Sequence, residues 1–224
     1  MPNVSKPTAL TSRQRLIMSL LVRLRFATVQ QLMFWVGAEH ESSVSRPCGQ
    51  LLRSGFIEQH ADLSPRAYRL SRKGSQMLST NYRRSWLSFA ALQQSILKND
   101  VEIHLRKMYP KTIHIEKTKL LTIGLNPAVG EYGFKHGKQL FFVLIDDYLM
   151  ASKRILHCWD RQHTPSHAHY DIKQGGFVNW RSYADQFFLF CCDEDQLKQH
   201  QEFAEKHKIP LQSAYLPATW GIAV

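Results

Sequence analysis

Acidic residues are scarce exactly where basic ones are not: the first 98 positions hold 14 Lys/Arg against 4 Asp/Glu, whereas the rest of the chain holds 15 against 14. That imbalance excludes a charge-neutral N-terminal surface and points to an anionic partner, either nucleic acid or a membrane surface. Cysteine is sparse too. Cys48, Cys158, Cys191 and Cys192 are the only four, and the one close pair is adjacent in sequence, which excludes a disulfide framework and the spacing of a zinc motif. No apolar run reaches the ~18 to 20 residues of a bilayer span, and Met1 to Arg15 lacks the apolar core of a signal peptide. A reduced, cytoplasmic protein without a membrane segment is expected. Repeats and low-complexity tracts are also missing. What remains is ordinary globular composition, 44% hydrophobic and 21% charged over 224 residues, enough for one large domain or two small ones.

Helical periodicity starts at Thr11 and runs to about Phe26, with Leu16, Ile17, Leu20, Leu21 and Leu24 as the apolar stripe and Arg13, Arg15, Arg23 and Arg25 mostly off it. Thr28-Val-Gln-Gln31 fits a capping box that opens a short helix through Leu32, Trp35 and Val36, with Gly37 as its stop. After a short spacer, Ser42 or Ser43 caps a third helix whose buried stripe is Val44, Cys48, Leu51 and Leu52. Pro47 is expected in the first turn and Gly55 at the end. Two helices joined by a tight turn, the second polar and basic on its free side, make the layout of a helix-turn-helix.

Phe56 to His60 then alternates as a strand, Ala61 to Pro65 is a polar turn, and Arg66 to Leu70 is the returning strand of a hairpin. The phrase Tyr68-Arg-Leu-Ser-Arg-Lys-Gly74 resembles the wing exit of winged-helix repressors, a resemblance that covers residues 11 to 79. The expected DNA-contacting set is Ser42, Ser43, Ser45, Arg46, Gln50 and Arg53 on the helix, with Arg66, Arg69, Arg72 and Lys73 on the hairpin and its exit. Arginine and glutamine pair bidentately with guanine and adenine edges in the major groove, which suits Arg46 and Gln50, one turn apart. The hairpin cations would hold phosphates and set register without reading sequence. Any single arginine here is equally well read as a solvated surface charge, and winged helices also serve as protein adaptors. The local concentration of positive charge favours double-stranded DNA.

From Ser85 to Tyr109, Trp86, Phe89, Leu92, Ile96, Val101, Leu105 and Met108 recur at helical spacing, with Asn99-Asp100 as a candidate break, so that one long helix or two stacked ones fit, and with Arg83 and Arg84 at the entrance. Beyond Pro110, strand candidates at 112–116, 119–123, 139–145, 186–192 and 211–216 alternate with helices at 149–158 and 194–208. The expected organisation is a winged helix-turn-helix over 1–80, a connector helix over 81–110, and an α/β domain over 111–224.

A winged helix, a connector helix and then a strand-Asp-helix pattern together resemble the replication-relaxation family of mobile elements, which includes the MobC-type plasmid relaxases. The resemblance implies a restriction-endonuclease-like second domain with a nicking site of the PD-(D/E)xK kind. It also implies Mg²⁺ or Mn²⁺ as cofactor if that site works, and relaxosome or other element-encoded proteins as partners. Matched by residue, Leu125-Asn-Pro-Ala128 stands where Pro-Asp is expected, and Ala128 has no carboxylate. Val143-Leu-Ile-Asp-Asp147 supplies Asp146, but the motif then ends in Tyr148 and the nearest lysine is Lys153. Glu131 would replace the missing aspartate and Glu102 would be the helical acid. Two readings stand: Glu102, Glu131, Asp146 and Lys153 form an altered catalytic site with Glu131 and Asp146 on the metal, or the fold persists as an inactive scaffold. Asp146 and Asp147 also fit a solvated helix cap.

Within the histidine-rich segment His157 to His169, His163, His167 and His169, followed by Tyr170, are similar to the His-hydrophobe-His metal site and tyrosine nucleophile of the other large class of nicking relaxases. The order of elements and Pro165 favour a polar histidine-rich loop instead. The functional expectation is a sequence-specific double-stranded DNA-binding protein of a mobile element, in plasmid transfer or replication or its regulation. The alternatives are a metal-dependent nickase and a winged-helix regulator whose second domain homodimerises or receives a partner.

Overall fold

The computed structural model describes residues 9–60, 63–64, 66–81, 88–122, 131–146, 150–161, 169–171, 176–178, 185–217 and 221–222. Outside them lie Arg83, Arg84, Ala128, Asp147, Tyr148, His163, Pro165 and His167. The chain is mixed α and β and divides into two compact units, Met1–Asn99 with Thr219–Val224, and Asp100–Ala218, the boundary falling within one helix. The sequence boundaries at 80 and 110 thus meet a single division, and the last strand goes with the first unit.

The first unit opens with α1 (Ser12–Leu24), β1 (Ala27–Thr28), α2 (Val29–Val36) and α3 (Ser42–Arg53). The strands β2 (Ile57–Gln59), β3 (Leu63–Ser64) and β4 (Ala67–Leu70) follow, then α4 (Arg72–Met77). Thr11 and Thr28 each close a capping box, with Gln14 and Gln31 reaching back, so two helix starts satisfy their own orphan amides. Gly37, at φ 67°, ends α2 in the left-handed conformation that costs glycine least. The core brings Ile17, Met18, Leu21 and Leu24 of α1 against Leu32, Val44, Cys48 and Leu51. Met18, not Leu16, completes the α1 stripe, and Leu16 is exposed. Fully burying side chains of this size stabilises by roughly 1.5–3 kcal/mol each before entropy is charged against it.

β4 pairs antiparallel with both β1 and β2, and is therefore the central strand of its sheet, buried along its whole length. β12 (Gly221–Ile222) pairs with β3. The long helix α5 (Phe89–Met108) runs unbroken through Asn99. Of the two arrangements open from the sequence, the single long helix is the one formed: Asn99 is buried and its Nδ2 donates to the Phe26 carbonyl at 2.6 Å, a tertiary bond in place of a local turn. Gln31 donates in the same way to the Ile96 carbonyl at 2.9 Å.

In the second unit come β5 (Ile113–Ile115), α6 (Lys117–Thr122), β6 (Glu131–His136), β7 (Gln139–Asp146) and α7 (Lys153–Arg161). They are followed by β8 (His169–Asp171), β9 (Gly176–Val178), β10 (Gln186–Cys191), α8 (Glu194–Lys206) and β11 (Gln212–Tyr215). Five strands pair in the order β11-β10-β7-β6-β5, with β7, β10 and β11 mutually parallel and β6 antiparallel to both its neighbours. β8 and β9 form a separate antiparallel pair. Phe142, Leu144, Phe187 and Leu189 face α7 and α8, sharing a cluster with Ile155, Cys158, Leu197 and Ala204. On the other face, Phe190 meets His104 of α5, and Phe141 and Phe188 meet Tyr109 just beyond it.

The stretch expected as a strand at 119–123 begins inside α6 instead. Leu120 of that helix is deeply buried and covers Gly133 of β6, where a Cβ would stand 2.8 Å from a Leu120 methyl. Because that obstacle is the far end of a flexible side chain, Gly133→Ala is expected to cost only about 1 kcal/mol, read as a small shift in denaturant midpoint.

Candidate nucleic-acid interface

The α3 helix presents two unlike faces. Val44, Cys48 and Leu51 are wholly buried, and burial pushes the Cys48 thiol up to about 12, so it is an inert packing group. On the opposite side Ser45, Arg46, Gly49, Gln50 and Arg53 line a shallow, open surface concavity. Arg46, Gln50 and Arg53 are exposed and Ser45 is half-buried.

The helix start departs from the sequence reading. Glu41 is the N-cap without a side-chain cap bond, so neither Ser42 nor Ser43 caps; both lie in the first turn, exposed and half-buried respectively. Beginning at Ser42 also moves Pro47 out of the first turn and into the helix, where it withholds the amide that would bond the Ser43 carbonyl.

Gln50 does not point its amide at random. Its Oε1 accepts from Gln14 Nε2 at 2.9 Å. Gln14 in turn must offer Oε1 to the Thr11 amide at 2.9 Å, a bond only an acceptor can make, and so has only its NH₂ left for Gln50. The polarity of the chain is thus anchored on a backbone N–H, and Gln50 keeps its own NH₂ for the concavity. Sequence reasoning missed Gln14. Its signal was available: a glutamine at the third position of a capping box has one amide atom left over.

The hairpin cations have different fates. Arg66 and Arg72 are exposed. Arg66 lies beside the Tyr68 phenol, which burial pushes upward and the guanidinium pulls back. Lys73 is exposed but donates to the Ser54 carbonyl at 2.8 Å and sits 4.5 Å over the Phe56 ring, tying α4 to the end of α3. Arg69 is corrected: it is 6% exposed, its guanidinium binds Glu58 at 2.7 Å, and it belongs to the interior of the hairpin rather than to a phosphate. Arg69→Ala is expected to lower stability by about 1–3 kcal/mol, between the values of exposed and buried pairs because Glu58 is partly solvated. Thermal unfolding checks this, and DNA affinity of the folded fraction should not change.

The second unit does not assemble the expected nuclease group. Glu102 is buried on α5 and paired with Arg106 at 3.5 Å. The helix carrying it packs on one face of the sheet, while Asp146 lies on the other. Glu131 is buried, its Oε1 receiving the Arg154 guanidinium at 3.2 Å and the Cys158 thiol at 2.6 Å. Lys153 is exposed on α7. Asp146 is wholly buried rather than a solvated cap, although its Oδ1 does accept the Met150 amide at 3.0 Å. Its Oδ2 meets His200 Nε2 at 2.7 Å and Cys191 Sγ at 3.5 Å. Burial pushes the Asp146 carboxyl up, but the His200 bond, the Met150 amide and the His200 charge together hold it below the ordinary value.

Among the described residues, the metal-ligating atoms that converge within 4.8 Å are those of Asp146, Cys191 and His200. Mg²⁺ and Mn²⁺ want several oxygen donors, and this set offers one carboxylate beside sulfur and nitrogen, so the implied cofactor does not fit. Of the histidine-rich segment, His157 is exposed on α7, and His169 and Tyr170 lie on β8.

No protein-family model matches the chain, and no curated protein does. Among solved structures, a MarR family transcriptional regulator from Silicibacter pomeroyi DSS is similar at 24% identity and a TM-score of 0.29. That match covers 50% of this chain and 64% of the regulator, less than two thirds of its length. Among the described residues, no helix is long and apolar enough to cross a membrane.

Proposed function

We propose that the first unit is a winged helix-turn-helix that binds double-stranded DNA sequence-specifically, with α3 lying in the major groove and the β2–β4 hairpin as the wing. The observation that carries this reading is the α3 concavity itself. Arg46, Gln50, Ser45 and Arg53 gather with Gly49 on the side of the helix opposite its buried Val44, Cys48 and Leu51 stripe. Arginine at such a site reads guanine bidentately, and the NH₂ that Gln50 keeps free suits acceptor atoms on a base edge. Arg66 and Arg72 supply exposed cations for phosphates.

The proposal extends to a place on a mobile element, in plasmid transfer or replication or their regulation, supported by the resemblance in element order to the replication-relaxation family. The nickase form of that reading gains no support from the donor set around Asp146. A titration of the full chain against duplexes selected from a random pool, repeated over a salt series, tests the binding role. Selected duplexes should bind far more tightly than random ones, and log K should fall linearly with log salt. Equal affinity for both pools, or indifference to salt, would overturn it.

The Gln14 relay makes a sharper prediction. In Gln14→Glu the Thr11 amide keeps its acceptor, but Gln50 must turn its NH₂ toward the new carboxylate and expose Oε1 instead. The preferred base edge opposite Gln50 should then change from acceptor-bearing to donor-bearing, with discrimination of ~1–3 kcal/mol, read by competition with single-base variants of the selected duplex.

A further inference from the structure

Three donors of different chemistry meet at one end of the second unit's sheet. Asp146 and Cys191 are directly paired partners at the C-terminal ends of the parallel strands β7 and β10, so their side chains leave the same face side by side. The carboxyl ends of parallel strands are where open α/β sheets place their ligands. His200, from α8, completes the group, and the three residues are 0%, 0% and 2% exposed. His200 is also held from behind: its other ring nitrogen, Nδ1, lies 2.8 Å from the Ser152 hydroxyl. An outer hydrogen bond of this kind is the usual device that fixes the ring of a metal-binding histidine.

We propose that Asp146, Cys191 and His200 bind a single Zn²⁺ ion, with Ser152 orienting His200. One oxygen, one nitrogen and one sulfur are a borderline-to-soft set, which selects zinc over the hard cations. In a tetrahedral zinc site such donors stand roughly 3.3–3.7 Å apart, from metal–ligand lengths of about 2.0–2.3 Å. The Asp146–Cys191 separation of 3.5 Å is already in that range. The Asp146–His200 separation of 2.7 Å is shorter because a proton lies between nitrogen and oxygen. Coordination releases the Cys191 thiol proton to solvent, moves the imidazole proton from Nε2 to Nδ1, where it donates to the Ser152 hydroxyl, and opens the Asp146–His200 pair by about half an ångström or more. Three protein donors leave a fourth position for water or another group. The ion would clamp β7, β10 and α8 together, a role independent of whether α3 binds DNA.

The test uses the full chain, stripped with a chelator and titrated with Co²⁺ as the spectroscopic probe. One equivalent should produce the visible d–d bands of a tetrahedral ion together with a near-ultraviolet thiolate charge-transfer band, and Zn²⁺ should bleach both. Cys191→Ser should abolish the charge-transfer band, whereas Cys192→Ser, the adjacent cysteine outside the cluster, should leave it intact. Ser152→Ala should weaken Co²⁺ affinity about 10- to 100-fold while preserving the band positions, as loss of an outer partner does. Zn²⁺ but not Mg²⁺ should raise the thermal unfolding temperature of the unsubstituted chain. Absence of a charge-transfer band in the unsubstituted chain, or its survival in Cys191→Ser, overturns the proposal without reference to DNA binding.

Discussion

Arg46→Ala should cost the chain its preference among duplexes before it costs its affinity for DNA as such. One bidentate guanine contact is worth about 1–3 kcal/mol of discrimination, or roughly 5- to 150-fold in the ratio of selected to random binding. The loss should fall on the selected duplex, since the exposed charges of Arg66 and Arg72, suited to phosphates, are untouched. Stability should change little, because Arg46 is exposed and points away from the Val44, Cys48 and Leu51 stripe. Parallel anisotropy titrations on the two duplexes read the ratio. An equal loss on both would mean that Arg46 neutralises phosphate rather than reads a base.

Gly74→Ala should be the most damaging small substitution in the first unit. A Cβ at Gly74 would lie 2.1 Å from the Phe56 carbonyl oxygen, and backbone cannot yield as the Leu120 methyls can at Gly133. The same spot is pinned from both sides. The Ser71 amide binds the Phe56 carbonyl at 3.0 Å, and the Ser71 hydroxyl reaches both the Gly55 carbonyl at 2.6 Å and the Gly74 amide at 3.0 Å. Displacing α4 therefore breaks several bonds together. A loss of about 3 kcal/mol or more is expected, at or above the upper end for overpacking, visible as a large fall in denaturant midpoint. The glycine that closes the Tyr68 to Gly74 phrase thus has a steric reason for its place.

Much of the first unit was legible in the residues because its signals are local. Capping boxes at Thr28 and a left-handed glycine at 37 mark helix ends by short-range bonding, and apolar stripes mark the buried faces. Arg69 was misread because period-two alternation assumes a strand with one wet face, whereas β4 is flanked on both edges and buried throughout. Glu58 stands directly opposite Arg69 in the hairpin register, and that pairing was the available sign. In the second unit the apolar runs of β7 and β10 declared themselves, but β6 did not: Gly133 and Lys135 interrupt its pattern. The Asp146, Cys191 and His200 group has no local signature at all, since it depends on strand register and on the docking of α8. The acids proposed from sequence were matched to a motif, and the sheet then placed Glu102 on a different face from Asp146.

The side of α3 that carries Gly49 is expected to lie against DNA, and a single introduced thiol can report on it. All four native cysteines are buried, and a Cβ at Gly49 makes only an ordinary 3.7 Å contact with Arg53, so Gly49→Cys should fold and carry one reactive thiol. Its alkylation rate is measured with and without saturating duplex. The account predicts strong protection by the selected duplex; an unchanged rate on protein shown independently to be DNA-bound would contradict it.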